Sequence, residues 1–168
     1  ANQASSYERA PLIWLHGVKG TAGSCTSWID MQAAYRDLPQ SIKRELADVE
    51  ITLGYKSGSY SESEFFVEHH AEDRPFKLVH TNDAGKTGLY FPFLQIFGMV
   101  GYEEHDFKQT MDWLIEHVLQ DKYRYDHHWE DGDVVISEQW LTIHKRHEFM
   151  DMSHRVLHRI AFDYRKMI

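Results

Sequence analysis

Apolar positions recur with two different periods along this chain, and the period changes near its middle. Residues 11–18, PLIWLHGV, form an apolar, β-prone run that predicts a buried strand. KGTAGSCTS follows as a small, Gly-rich loop. MQAAYRDL and SIKRELADV predict two short helices, with Pro39 ending the first. Residues 54–62, GYKSGSYSE, have the composition of a loop. FKLVHT and GLYFPF flank NDAGKT, whose Asn, Asp and Gly residues favour a turn, so a hairpin is expected there. Helical spacing dominates 103–120, where Phe107, Met111, Leu114, Ile115 and Val118 share one face. Beyond it the period returns to two. YRYDHHW reads as a strand, EDGD as a turn, and VVIS, QWLTIH and HRVLHRIAFDY as further strands. Trp140, Thr142 and His144 fall on one face of the QWLTIH strand by that alternation. Strands at both ends and a helical middle predict a mainly β chain with helices packed outside (α+β).

No internal repeat, low-complexity tract or long linker divides residues 1–168, so one domain is expected. With 42% hydrophobic and 14% aromatic residues the chain can bury a real core. A net charge of −8 argues against nucleic acid or an anionic membrane as a general partner. The 12 histidines would soften that charge only at low pH. Cys25 is the sole cysteine, which excludes an intrachain disulfide and suits a reducing, cytoplasmic location. No apolar run is long enough to cross a bilayer as a helix. Association into a homo-oligomer stays open.

The densest chemistry lies near the end of the chain. In HRVLHRIAFDY, period-two alternation puts Arg155, Leu157 and Arg159 on one face and Val156, His158 and Ile160 on the other. If the arginine face is buried, each guanidinium needs an anion, and a dicarboxylic ligand would supply one through paired hydrogen bonds. If it is exposed, the arginines are simply solvated. Alternation alone leaves both readings open.

His144 ends one strand, and Arg155 follows eleven positions later on the next. This pairing resembles the C-terminal signature of iron(II)/2-oxoglutarate-dependent dioxygenases of the taurine dioxygenase-like family. WEDGDVVISEQWLTIH is similar to that family's approach to its distal histidine, and HRVLHRIAFDY to its arginine-bearing final strand. GSCTSWIDMQAAYRDLP resembles its Gly-Gly-x-Thr segment and following helix, and RPFKLVHTNDAGKTGLYF its central hairpin. The chain departs from the pattern at SEQ (137–139), where Asp-Asn is usual, and at GSCT, where the second glycine and the acidic residue are replaced.

The resemblance implies a distorted double-stranded β-helix, or jelly roll, incomplete at its N-terminus. It implies Fe(II), 2-oxoglutarate and O2 as cofactor and cosubstrates, and hydroxylation of a small, anionic molecule. It makes His144 a metal ligand, has Arg155 and Thr26 bind 2-oxoglutarate, and has Arg159 bind the acidic group of the substrate. The family's His-x-Asp pair is expected at or just before Ala1, so the chain would be a C-terminal portion of a longer one. His16 lacks a carboxylate at position 18. If Gly or Ala stood in place of the carboxylate of that His-x-Asp pair, a halogenase would result. A non-catalytic jelly roll that binds an anionic ligand or partner is the other alternative. A cupin-like site from His70, Glu72 and His144 is a third. Among the other candidates, His127 and His128 are adjacent on a strand and so point apart. His147, His154 and His158 are expected at the surface or in packing, Cys25 in packing, and Tyr90, Phe91 and Phe93 in the core.

Overall fold

Strand follows strand across two facing sheets at the start and again at the end of the chain. The computed structural model describes residues 11–53, 75–93, 96–149 and 154–163. Its elements are β1 (Leu12–Lys19), β2 (Cys25–Asp30), α1 (Met31–Arg36), α2 (Gln40–Leu46), β3 (Glu50–Leu53), β4 (Phe76–Lys77), β5 (Val79–Thr81), β6 (Thr87–Leu89) and β7 (Ile96–Met99). Then come α3 (Glu104–Val118), a 3-10 turn (Asp121–Tyr123), β8 (Arg124–His128), β9 (Val134–Glu138), β10 (Thr142–Arg146) and β11 (Val156–Phe162). The loop expected over 54–62, together with Ala1, His70 and Glu72, lies outside the described residues.

The first sheet has the order β11-β1-β9 and the second β10-β2-β8, with every pairing antiparallel. The chain therefore steps from first to second sheet between β1 and β2, and back and forth through β8, β9, β10 and β11. That alternation is the winding of a jelly roll. β1 shows the period of two directly. Ile13, Leu15 and Gly17 are buried, while Trp14 and Val18 are exposed. Ile13 and Leu15 meet Trp28 and Trp129 between the sheets, with Val135 and Leu157 at the margin. The opposite face of the first sheet carries exposed Trp14, Val134, Ile136, Val156 and Ile160, with His16 and His158 edge to face at 6.3 Å.

The second sheet is covered on both sides. Ile29 and Ile143, on the face away from Trp28, join a larger core with Met31, Ala34, Met111, Leu114 and Val118. This is where the helices pack, and α3 buries the face expected from its spacing. Double burial is why CTSWID shows no alternation, so β2 begins at Cys25 within what its small residues suggest is loop. α1 starts on Asp30, whose Oδ1 accepts from the backbone N–H groups of Gln32 and Ala33 at 3.0 and 2.9 Å. Pro39 opens α2 as its N-cap residue instead of closing α1, which already ends at Asp37. The hairpin forms as expected, with Val79 opposite Leu89 and Asn82 Oδ1 accepting from Ala84 and Lys86 N–H. β3 pairs with both β4 and β7 in a third small sheet, which the alternation does not foreshadow.

Trp140 corrects the expectation for the QWLTIH segment. Residues 139–141 form a turn, and β10 starts only at Thr142. Trp140 leaves the His144 face and stacks on His80 at 4.4 Å, in the larger core. The turn is tied by Glu138, whose Oε2 accepts from Leu141 N–H at 2.7 Å while its Oε1 is buried without a hydrogen bond.

A second tie joins the β1–β2 loop to the β8–β9 turn. Asp131 accepts from Gly20 N–H at 3.1 Å and from both the N–H and the hydroxyl of Thr21 at 2.8 Å. Gly20 itself has φ +63, and a Cβ there would lie 2.8 Å from the carbonyl oxygen of His154.

Two measurements test these ties. Gly20→Ala should destabilise the fold by about 1–2 kcal/mol from the left-handed backbone alone, with the His154 clash adding to it, as read by urea unfolding. Burial pushes the Glu138 carboxyl up from 4.5 to about 7. Its folded form holds the proton more tightly than the unfolded one, so its contribution is complete below pH 4.5 and is lost as pH rises through about 7. In melting curves, Glu138→Gln should therefore lose less stability than the parent between ~pH 5 and ~pH 8.

Candidate functional site

His144 and Thr26 reach the space between the sheets from adjacent strands. Register pairs His144 with Trp28 and Arg146 with Thr26, so all four side chains lie on the inward face of the second sheet. The His144 ring tilts over Trp28 with centroids 5.8 Å apart. Burial pushes its pKa down to about 4, and the Arg159 guanidinium acts in the same direction. The imidazole is therefore neutral at physiological pH, with a nitrogen lone pair able to bind a metal.

Thr26 lies two residues before Trp28 and is 4% exposed. Its Oγ1 accepts a hydrogen bond from Trp129 Nε1 at 3.0 Å. Trp129 is held in turn by its own N–H to Ser24 O at 2.9 Å.

The arginines approach from the opposite wall. Arg159 sits directly across from Leu15 and so shares the inward face of the first sheet, at an exposed position. Arg155 lies just before β11, and its Nε is buried without a hydrogen-bond partner. Desolvation lowers its pKa, and the neighbouring charge of Arg146 lowers it further. Arg146 is the cross-strand partner of Thr26, so Arg155 reaches the Thr26 end of the space and Arg159 the His144 end. His144 and Thr26 thus face the wall that carries Arg155 and, at its exposed end, Arg159. A neutral imidazole and a hydroxyl facing two guanidiniums suit a metal held beside an anion.

The remaining candidates lie elsewhere. His127 points inward, edge-on to Trp129 at 4.5 Å, with Nε2 3.1 Å from Asp133 Oδ2, while His128 is exposed. Cys25, Asp126 and His147 gather on the outward face of the second sheet, within 4.8 Å of one another. There the Ser27 hydroxyl donates to Asp126 and meets His147 Nε2 at 2.6 Å, so the group is knit by hydrogen bonds. Burial, and then Asp126, raise the Cys25 thiol pKa, as suits a packing residue. His154 and His158 are exposed, Tyr90 and Phe91 are in the core, and Phe93 packs against it. A cavity of about 420 Å³ lies apart from these groups, lined by His80, Glu138 and Trp140 among others. Trp129 is the inward residue that sequence reasoning missed. Its position at the end of YRYDHHW, two residues after His127, was the available signal.

Comparison with known proteins identifies the family. The family model described as "Taurine catabolism dioxygenase TauD, TfdA family" matches residues 5–161. The chain is 25% identical over 148 residues to an alpha-ketoglutarate-dependent 2,4-dichlorophenoxyacetate dioxygenase of Burkholderia sp. (strain RASC), covering 82% of this chain and 48% of that protein. It is 23% identical over 156 residues to pentalenolactone F synthase of Streptomyces arenae, covering 84% and 52%. The chain thus spans about half the length of the curated relatives it matches. Its fold matches the crystal structure of AAD-2 in complex with Mn(II) and N-oxalylglycine with a TM-score of 0.79 at 22% identity, covering 91% of this chain and 62% of that one. A motif match along nearly the whole chain and a shared jelly-roll fold lead to one conclusion: this chain belongs to the TauD/TfdA dioxygenase family.

Proposed function

We propose that this protein is an iron(II)/2-oxoglutarate-dependent dioxygenase that hydroxylates a small, anionic molecule in the cytoplasm, with residues 1–168 belonging to a single oxygenase domain. The observation that carries the reading is the half-buried, neutral His144 beside Thr26, with the partly desolvated Arg155 across the sandwich, in a chain of this family.

The residues present fit the implied group. His144 offers an unprotonated nitrogen in a dry setting, as a metal ligand requires. On this reading, the other two ligands of the 2-His-1-carboxylate set come from outside the described residues. Arg155 has a buried N–H with no acceptor, and a carboxylate is the acceptor its planar fork fits best. Thr26 adds a neutral donor on the facing strand. Together they hold the far carboxylate of 2-oxoglutarate and so orient its other end toward the metal. When bound, iron(II) with 2-oxoglutarate and O2 supplies the oxidising power for attack on a C–H bond. Arg159, near His144 and open to solvent, holds the acidic group of the substrate at the mouth. Trp28, Ile13 and Leu15 keep water from the interior and so strengthen each of these charge contacts. One relative's name gives 2,4-dichlorophenoxyacetate and another's pentalenolactone F, and a carboxylate-bearing substrate for this chain is consistent with Arg159.

The test is an anaerobic titration with Fe(II) and 2-oxoglutarate, following the visible absorption of the chelated cosubstrate. Arg155→Ala should weaken 2-oxoglutarate about 10- to 100-fold, the worth of a charge-assisted hydrogen-bonded pair, and leave iron affinity in place. His144→Ala should abolish the absorption. Absorption unchanged in both variants would remove the assignment, and binding without turnover of any C–H substrate would leave an anion-binding module.

A further inference from the structure

Thr26 is buried, and its hydroxyl has one proton to give and two lone pairs to fill. Trp129 Nε1–H, a donor only, takes one lone pair at 3.0 Å. The proton finds no acceptor among the described residues, so the hydroxyl can donate to a ligand. Trp129 is poorly able to relax away from it. The ring is 1% exposed, its centroid is 6.5 Å from that of Trp28, it meets the His127 edge at 4.5 Å, and its backbone N–H is fixed to Ser24 O.

We propose that Trp129 is a positioning residue for the cosubstrate: by filling one lone pair of Thr26, it fixes one side of that hydroxyl and favours donation of its proton into the space between the sheets. This rests on the oxygenase reading above and adds a residue to it. An indole donor there biases Thr26 toward an acceptor, because it leaves one lone pair instead of two to receive an incoming N–H or water. The pair also forms a chain, indole N–H to hydroxyl to carboxylate, in which each bond polarises the next. A carboxylate end is therefore favoured over a terminal amide or ammonium.

Anaerobic binding of 2-oxoglutarate to the intact Fe(II)-loaded protein tests this through a double-mutant cycle. Trp129→Phe keeps the ring and removes the donor, and should weaken 2-oxoglutarate about three- to tenfold with iron affinity unchanged. In a Thr26→Val background the same substitution should cost nothing further, whereas Thr26→Ser should retain the effect. Equal losses in the parent and in the Thr26→Val variant would mean that Trp129 acts only through packing, and no loss in either would likewise overturn the proposal. Should Trp129→Phe fail to fold, the unsubstituted protein gives a second readout. With Zn(II) in place of iron, the indole N–H resonance that Thr26→Val displaces should move downfield as 2-oxoglutarate binds, and a stationary resonance would overturn the proposal. If the unsubstituted protein binds no 2-oxoglutarate at all, the oxygenase reading fails and this inference falls with it. Normal binding that is indifferent to Trp129 sinks this inference alone.

Discussion

Three hydrogen bonds to one carboxylate determine how the two sheets meet. Asp131 gathers the N–H of Gly20 and both donors of Thr21, and these bonds hold its own pKa below the usual carboxylate range. The consequence reaches well beyond the turn. With the β1–β2 loop pinned, Ser24 presents its carbonyl to Trp129, and β2 enters with Thr26 under the indole. On the other side of the same loop, Gly20 leaves room for the backbone of His154 and Arg155 as the chain enters β11. One anchored loop thus sets the approach of both walls of the site.

The walls differ in how they make charge tolerable. On the second sheet, dense packing around Trp28 strips His144 of water and keeps it neutral. On the first sheet, the edge strand β11 lets Arg159 stay wet, whereas Arg155 at its entrance is partly dried. The gradient from wet to dry runs along one face of one strand. On the proposed oxygenase reading, it separates the place where the substrate is met from the place where the cosubstrate is held.

Period-two alternation made β8 and β11 legible, because each has one face toward the interior and one away from it. Helical spacing made α3 legible for the same reason. β2 was not, since Ile29 is buried against the helices while Trp28 is buried against the first sheet, and a strand covered on both faces carries no alternation. Trp140 failed differently: Glu138 binds the N–H of Leu141 and turns the chain, so counting by twos across residues 139–141 loses register. His144, Arg155, Arg159 and Thr26 came from resemblance and spacing. The bond from Trp129 to Thr26 spans 103 positions and exists only because β2 and β8 are neighbours, so no local pattern could announce it.

Cys25 offers an experimental handle through its place on β2. It is the chain's only thiol, one residue from Thr26, and alternation turns it to the outer surface while Thr26 looks inward. A maleimide fluorophore or spin label attached there would ride on the strand that carries the proposed donor without entering the cleft. The raised thiol pKa slows that coupling at neutral pH, so labelling should be carried out in mildly alkaline buffer.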